Sequence, residues 1–159
     1  MRIEAMTVAD WPLVKRIYEG GIAMRQATFE TVAPDWPAWD ARHLPSPRLV
    51  ARDPAVVGWA ALSRVWAREV YRGVCEVSVY VDEEARGRGI GSLLLAGLVI
   101  ESERAGIWTL QASVFPENAA SVRLHQRHGF RVVGKREKIA QHHGVWRDTL
   151  LLERRSSIV

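Results

Sequence analysis

A glycine-rich loop is the first stretch of the sequence whose residue types suggest chemistry. Arg86–Ser92 reads Arg-Gly-Arg-Gly-Ile-Gly-Ser and separates the apolar stretches Val77–Val81 and Leu93–Ile100. A strand, a turn and the start of a helix are therefore expected one after another. The glycines leave backbone N–H groups uncovered at the positive end of a helix dipole, and two arginines add full charges. Such a loop could hold a phosphate or pyrophosphate, although an ordinary glycine-rich turn would explain the same residues.

The spacing of this loop excludes two common nucleotide-binding patterns. A Walker loop needs a lysine after its last glycine, and none is present. A dinucleotide-binding fingerprint needs a third glycine where Ser92 stands, and no βαβ unit precedes the loop. The pattern that remains is Arg-x-x-Gly-x-Gly between a strand and a long helix.

A second motif follows in Asn118–Phe130. It reads Asn-x-x-Ser-x-x-Leu-His-x-x-x-Gly-Phe, which on its own is typical of an amphipathic helix ended by a glycine cap. In this order, the two motifs resemble those of the Gcn5-related N-acetyltransferase (GNAT) superfamily. The resemblance implies acetyl-CoA as the acetyl donor, with its pyrophosphate held by the backbone amides of the glycine loop.

Four shorter motifs narrow the resemblance. They are Ala27–Glu30 (Ala-Thr-Phe-Glu), Arg68–Tyr71 (Arg-x-x-Tyr), Glu76–Val81 (Glu-x-Ser-Val-Tyr-Val) and Gly144–Asp148 (Gly-x-Trp-x-Asp). All four are similar to stretches of the phosphinothricin and methionine sulfoximine acetyltransferases. The resemblance implies an α/β (α+β) GNAT fold, with a mixed central sheet of about seven strands, helices on both faces and splayed central strands at the acetyl-CoA site. It also implies a homodimer whose partner helps to wall the pocket.

Hydrophobic periodicity and breaker residues predict the elements that position these motifs. Helices are expected from Trp11 to a stop at Gly20-Gly21, over Trp36–His43, from the glycine loop to about Arg104, and over residues 118–128. Strands are expected over Arg2–Met6, Leu49–Arg52, Val56–Leu62, Val74–Val81, Ile107–Val114, Phe130–Lys138 and Val145–Glu153. Residues 1–159 are expected to form a single domain, with a frayed tail over residues 155–159.

Acetyl transfer to an amine needs a proton acceptor, a donor for the oxyanion and a proton for the leaving thiolate. Glu76 matches the glutamate that the resemblance makes the base, although an edge-strand surface residue is the alternative. A backbone N–H near Tyr80 or Val81 would stabilise the oxyanion. His125 stands where many GNAT proteins have tyrosine, and it is either the general acid or a packed core histidine.

The resemblance also implies the cofactor and substrate contacts. The expected acetyl-CoA contacts are Val79, Tyr80, Val81, Arg86, Gly87, Arg88, Gly89, Ile90, Gly91, Ser92, Asn118, Ser121 and His125. Arg68 would hold a substrate carboxylate, Phe29 and Trp146 would wall the substrate side chain, and Glu76 would border it. Trp66 stands where relatives usually have a second arginine, which favours apolar substrates over phosphinothricin.

Charge and composition limit the remaining function classes. Residues 86–159 carry 12 basic and 6 acidic side chains, a field that suits an anionic cofactor, and no nucleic-acid motif accompanies it. The single cysteine, Cys75, excludes a multi-cysteine zinc site, and we interpret His142-His143 as surface or interface residues rather than metal ligands. Without a signal-peptide core or a membrane-length apolar run, a cytoplasmic protein that binds no membrane is expected.

Direct attack of a free amine on acetyl-CoA, without metal, is therefore the expected reaction. Cys75 has no evident activating partner and no Gly-x-Ser-x-Gly motif occurs, so an acyl-enzyme is disfavoured. Small L-amino acids or analogues such as methionine sulfoximine, methionine sulfone or phosphinothricin are the expected substrates. The alternatives are acetylation of a protein N-terminus or lysine, and a non-catalytic acyl-CoA sensor.

Overall fold

The computed structural model describes residues 1–159, which form seven strands and four α-helices. The strands are β1 (Arg2–Ala5), β2 (Arg48–Arg52), β3 (Val56–Arg64), β4 (Val74–Val81), β5 (Thr109–Val114), β6 (Arg131–His142) and β7 (Val145–Arg155). The helices are α1 (Trp11–Ala23), α2 (Trp36–Arg42), α3 (Ile90–Arg104) and α4 (Ala119–Arg127). None of these helices combines the length and the apolarity needed to cross a membrane.

All seven strands belong to one mixed sheet, in the order β1-β2-β3-β4-β5-β7-β6. Only β4 and β5 run parallel, and every other neighbouring pair is antiparallel. Helix α3 joins β4 to β5, because a parallel neighbour can be reached only by a crossover that returns to the same end of the sheet. The mixed seven-stranded sheet expected from the sequence is confirmed.

Apolar side chains cover both faces of this sheet. On one face, α3 buries Leu94 and Leu98 against strand residues such as Cys75. On the other face, α1 and α2 enclose an aromatic cluster around Trp39 and Trp59. Helices therefore lie on both faces, as expected, and Cys75 is the buried small side chain that the sequence suggested.

Strands β4 and β5 separate after three residue pairs. Their parallel ladder ends at Glu76 and Gln111, although β4 continues to Val81 and β5 to Val114. Side chains alternate along a strand, so Glu76 points to the same face of the sheet as Tyr80, which packs with the aromatic cluster of α1 and α2. The splayed central strands implied by the resemblance are therefore present.

The stop predicted at Gly20-Gly21 is wrong, since α1 continues to Ala23. Gly21 has a packing role instead of a capping role. A Cβ atom there would lie 2.6 Å from Cδ1 of Tyr80, so only glycine lets α1 pack this closely on β4.

The fraying predicted for residues 155–159 does not apply to its first two residues. Arg155 ends β7, and Ser156 is buried, with its hydroxyl donating to Oε1 of Glu103 at 2.9 Å. The same hydroxyl accepts the backbone N–H of Ile158 at 3.2 Å. The bond to Glu103 connects the end of the chain to α3, and the bond from Ile158 orders the residues that follow Ser156.

Candidate active site

The glycine loop folds into the amino end of α3. Gly87 and Gly89 have φ angles of 75° and 77°, a left-handed region that favours glycine. The first backbone bond of the helix runs from the N–H of Leu93 to the carbonyl of Gly89 at 3.1 Å. The N–H groups of Ile90, Gly91 and Ser92 therefore have no partner within the helix, and they form the positive end of its dipole.

A cavity of about 510 Å³, here called the loop cavity, opens at this helix end. Every expected cofactor contact lines it except Arg88 and His125. The side chain of Arg88 points elsewhere and is paired with Asp53. Arg86 lines the cavity without an acidic partner, as does Arg127 of α4, so two free guanidinium groups flank the uncovered amides.

A second cavity of about 360 Å³, here called the inner cavity, lies at the point where β4 and β5 separate. The two cavities share the lining residues Ala27, Val79, Tyr80, Asn118 and Ser121. The two cavities are therefore adjacent, with one bordered by the amino end of α3 and the other by Glu76.

Glu76 lines the inner cavity. Its Oε1 accepts hydrogen bonds from Nε2 of Gln111 at 3.3 Å and from Oγ of Ser113 at 3.2 Å, both on β5. The carboxyl group is half-buried and has no basic partner. A carboxylate that is oriented by neutral donors keeps lone pairs free to accept a proton, so the geometry suits the base predicted at this position.

The direction of the backbone along β4 identifies the free N–H groups. The N–H of Asp82 bonds to the carbonyl of Val57 at 2.9 Å, which directs the even-numbered N–H groups, including that of Tyr80, towards β3. The N–H groups of Val79 and Val81 consequently point into the gap left by β5. They are better placed than that of Tyr80 to meet an oxyanion in the gap.

The side chain of Tyr80 has a packing role. Its ring stacks on Trp59 with the centroids 4.8 Å apart and meets Tyr18 edge-on at 5.0 Å. Burial raises the pKa of this phenol far above its usual range, so the hydroxyl stays neutral.

His125 is buried in α4 beside the inner cavity. Its Nδ1 lies 2.7 Å from the carbonyl oxygen of Ser121, which can only accept, so Nδ1 carries the proton and Nε2 has a lone pair. Burial lowers the pKa of His125, although its bond to Ser121 opposes this effect. A neutral ring with this tautomer accepts a proton at Nε2 more readily than it donates one, and the general-acid role stays a prediction.

Two of the expected substrate residues lie outside both cavities. Arg68 is exposed in the connection between β3 and β4, with its guanidinium 5.9 Å from the ring of Tyr71. Trp146 is 56% exposed on β7 and borders a separate polar cavity. Only Phe29 and Glu76 of the expected set meet in the inner cavity.

His142 is buried, which corrects the surface position expected for it. Its ring packs on Phe115 and against Phe29, with centroids 6.0 and 5.9 Å away, on the outer side of the rings that line the inner cavity. No group of three or more histidine, cysteine, aspartate or glutamate side chains is arranged to hold a metal ion.

Comparison with known proteins places this geometry in a family. The model of the acetyltransferase (GNAT) family matches residues 13–130. The chain belongs to the GNAT family. It is an N-acetyltransferase, as the motifs indicated.

Several GNAT relatives match almost the whole chain. An L-methionine sulfoximine/L-methionine sulfone acetyltransferase of Pseudomonas paraeruginosa is 35% identical over 92% of this chain and 89% of its own. The structure of a phosphinothricin acetyltransferase from Sinorhizobium meliloti in complex with AcCoA has a TM-score of 0.88 at 30% identity, covering 97% of this chain and 87% of that one. A ribosomal-protein-alanine N-acetyltransferase from Brucella melitensis has a TM-score of 0.89 at 33% identity, covering 98% and 100%.

The second GNAT motif joins two parts of the site. The Oδ1 of Asn118 caps α4 by accepting the N–H of Ser121 at 3.2 Å. The Nδ2 of Asn118 donates to the carbonyl of Gln26 at 3.2 Å, which ties α4 to the segment after α1. Asn118 therefore fixes the wall shared by the two cavities, and its contact with the cofactor stays a prediction.

Arg127 and Phe115 are among the residues that line the GNAT cavities and that sequence reasoning missed. Arg127 follows Ala120 and Leu124 at helical spacing, and that periodicity could have placed it on the face of α4 towards the loop. Phe115 directly follows β5 and lines the inner cavity together with Phe29. No local signal distinguishes Phe115 from an ordinary core aromatic residue.

Proposed function

We propose that this enzyme transfers the acetyl group of acetyl-CoA to the free amine of a small L-amino acid or analogue, of the methionine sulfoximine, methionine sulfone or phosphinothricin type. One observation carries the proposal. Two adjacent cavities with a shared wall lie between the uncovered amides at the amino end of α3 and a carboxylate, Glu76, that has no basic partner.

The loop cavity suits the pyrophosphate of acetyl-CoA. Backbone N–H groups of Ile90, Gly91 and Ser92 supply hydrogen-bond donors at the positive end of the α3 dipole. Arg86 and Arg127 supply charges that are not committed to carboxylates. The pantetheine arm would then follow the gap between β4 and β5 towards Glu76.

Direct attack fits the groups that face the gap. Glu76 accepts the proton that the amine loses, either directly or through water, as the nitrogen attacks the thioester carbon. The N–H groups of Val79 and Val81 stabilise the oxyanion, and the C–S bond then breaks to release the CoA thiolate. His125 lines the inner cavity, and its Nε2 is the ring atom through which it would exchange a proton with the thiol.

The inner cavity contains two carboxylates, Glu30 and Glu76, but no lysine or arginine. The carboxylate of an amino-acid substrate would therefore need a cation from outside this lining. The family resemblance suggests that Arg68 supplies this cation.

We also propose that the enzyme is a homodimer in which the second copy completes the pocket, and that it is located in the cytoplasm. Light scattering on the purified protein tests whether it is a dimer. Cell fractionation tests the location.

A thiol-release assay tests the substrate class. Purified enzyme and acetyl-CoA are combined with L-methionine sulfoximine, L-methionine sulfone, phosphinothricin and the common L-amino acids. We expect thiol release with one or more of the analogues, and a Trp66→Arg variant that lowers the ratio of methionine sulfone to phosphinothricin turnover would show that Trp66 disfavours the phosphinate. Binding of acetyl-CoA in calorimetry, with no thiol released by any amine, would instead indicate a non-catalytic sensor.

Acetylation of protein amino termini is the second candidate. It is favoured by the similarity to the relative described as a ribosomal-protein-alanine N-acetyltransferase. Comparing each free amino acid with a peptide that begins with the same residue separates the two candidates. Turnover of the peptides alone would contradict the small-molecule proposal.

A further inference from the structure

Residues 26–34 form the segment that follows α1. None of their backbone groups makes a hydrogen bond to another backbone group. Nevertheless Ala27, Phe29 and Glu30, which belong to this segment, line the inner cavity. The shape of that wall therefore depends on side chains from other parts of the chain.

Arg147 of β7 provides several of these contacts. Its Nη1 donates to the carbonyl oxygen of Arg25 at 3.0 Å, and its Nη2 donates to Oε1 of Gln26 at 2.8 Å. Nη2 also lies 3.4 Å from Oε2 of Glu117, and Nη1 lies 3.4 Å from Nδ1 of His142. The side chain of Arg147 is only 13% exposed, although its partners Arg25, Gln26 and Glu117 border a polar cavity.

The same guanidinium covers an aromatic ring of the cavity wall. Its Cζ lies 3.9 Å from the centroid of Phe115, the distance of a cation–π contact. Phe115 meets Phe29 edge-on, with the ring centroids 4.9 Å apart, and both rings line the inner cavity. Arg147 thus holds the start of the segment by hydrogen bonds. It also holds Phe29, a later residue of the segment, through the ring of Phe115.

We propose that Arg147 is a positioning residue for the amine substrate, acting through Gln26 and Phe115 on the wall that Phe29 forms. The proposal rests on the proposed function, because it takes the inner cavity as the place where the amine binds. Arg147 lines neither the loop cavity nor the inner cavity, so it touches neither acetyl-CoA nor the amine. A planar guanidinium can serve two acceptors and a ring at once, whereas a lysine ammonium could serve only part of this set.

Kinetics of three variants test the proposal. Arg147→Met keeps an apolar chain near Phe115 but removes the charge and every donor, and Arg147→Lys keeps the charge. Arg131→Met is the matched control, since Arg131 lies in the same β6–β7 hairpin but is an exposed residue paired only with Glu153. The measurements are kcat, the KM of methionine sulfone at saturating acetyl-CoA, and the Kd of acetyl-CoA from calorimetry.

Arg147→Met is expected to raise the KM of the amine about tenfold, with a smaller change in kcat and less than about a threefold change in the Kd of acetyl-CoA. Arg147→Lys should recover part of the loss, and Arg131→Met should behave as wild type. Equal losses for the amine and for acetyl-CoA, or a lowered melting temperature with unchanged kinetics, would show a merely structural role and overturn the proposal.

Backbone order parameters of residues 26–30, measured by NMR relaxation, provide a readout that does not depend on activity. Arg147→Met should lower these order parameters relative to Arg131→Met, because the side-chain contacts that hold the segment are lost. Unchanged order parameters would refute the positioning role even in an active enzyme. Failure of wild type to acetylate any amino acid would refute the proposed function instead, and the order parameters would still decide whether Arg147 holds the segment.

Discussion

Gly21 of α1 lies in direct contact with the ring of Tyr80 in β4. A Cβ atom at Gly21 would stand 2.6 Å from Cδ1 and 2.7 Å from Cε1 of that ring. The ring has little freedom to move, because it is stacked on Trp59. This close approach sets how tightly α1 packs on the strand that carries Glu76, and it keeps Tyr80 beside both cavities.

Replacing Gly21 with alanine is expected to lower the free energy of unfolding by about 1–3 kcal/mol, because overpacking outweighs the gain in helix propensity. Gly20 is the matched control: it lies in the same helix, and a Cβ there would have no atom within 4 Å. Gly20→Ala should raise the free energy of unfolding by about 0.5–1 kcal/mol. Urea unfolding measures both changes, and equal stability of the two variants would contradict the packing role.

Glu76→Gln is expected to lower kcat/KM about 100-fold or more, and to remove the rise of kcat/KM with pH that a titrating base produces. The amide oxygen can still accept from Gln111 and Ser113, so the fold should be preserved while the proton acceptor is lost. Glu30→Gln is the control, because Glu30 lines the same cavity but is paired with Arg42 at 3.5 Å. An unchanged profile between pH 6 and 9 for Glu76→Gln would mean that another group is the base.

Arg127→Gln is expected to weaken acetyl-CoA binding about tenfold, since a charge-assisted bond to phosphate would be lost. Arg88→Gln should weaken it less, because Arg88 is already paired with Asp53. Calorimetry at low and high salt measures both dissociation constants. The difference between the two dissociation constants should shrink as salt screens the charges. A larger loss of affinity for Arg88→Gln would indicate that Arg88, and not Arg127, binds the phosphate.

The stability of the enzyme is expected to fall as the pH drops below about 6.5, because burial lowers the pKa values of four histidines, which include His125 and His43. Burial lowers the pKa of His125, and it also lowers the pKa of His43, whose Nδ1 bonds to the carbonyl of Trp39 at 2.7 Å. In the unfolded chain both rings regain their ordinary pKa and take up protons first. The contribution of the neutral rings to the free energy of unfolding is therefore fully present above about pH 6.5, and it decreases as the pH falls below that value.

Each such histidine contributes a slope of at most about 1.4 kcal/mol per pH unit. Urea unfolding between pH 5 and pH 8 measures the slope. His43→Phe should flatten it while retaining the ring stack on Trp39, whose centroid lies 4.1 Å from that of His43. A free energy of unfolding that increases as the pH falls towards 5 would contradict the predicted loss of stability in acid.

Much of the fold could be predicted from local patterns. The alternation of Val74–Val81, the glycines of Arg86–Ser92 and the cap at Asn118 each express a preference of neighbouring residues, and each forms the expected element. The prediction failed at Gly20-Gly21, where a glycine pair usually signals a helix end. Contact with Tyr80, which lies far away in sequence, determined the outcome there.

By itself, the sequence determined the family, the order of the elements, the glycine loop before α3 and the strand that carries Glu76, because these depend on short-range spacing. Only the tertiary structure decided which side chains meet at the site. It left Arg68 and Trp146 outside the two cavities and brought Arg147 within 2.8 Å of Gln26, a residue 121 positions away. The shape of a cavity depends on distances between remote segments, which the spacing of residues along the chain does not specify.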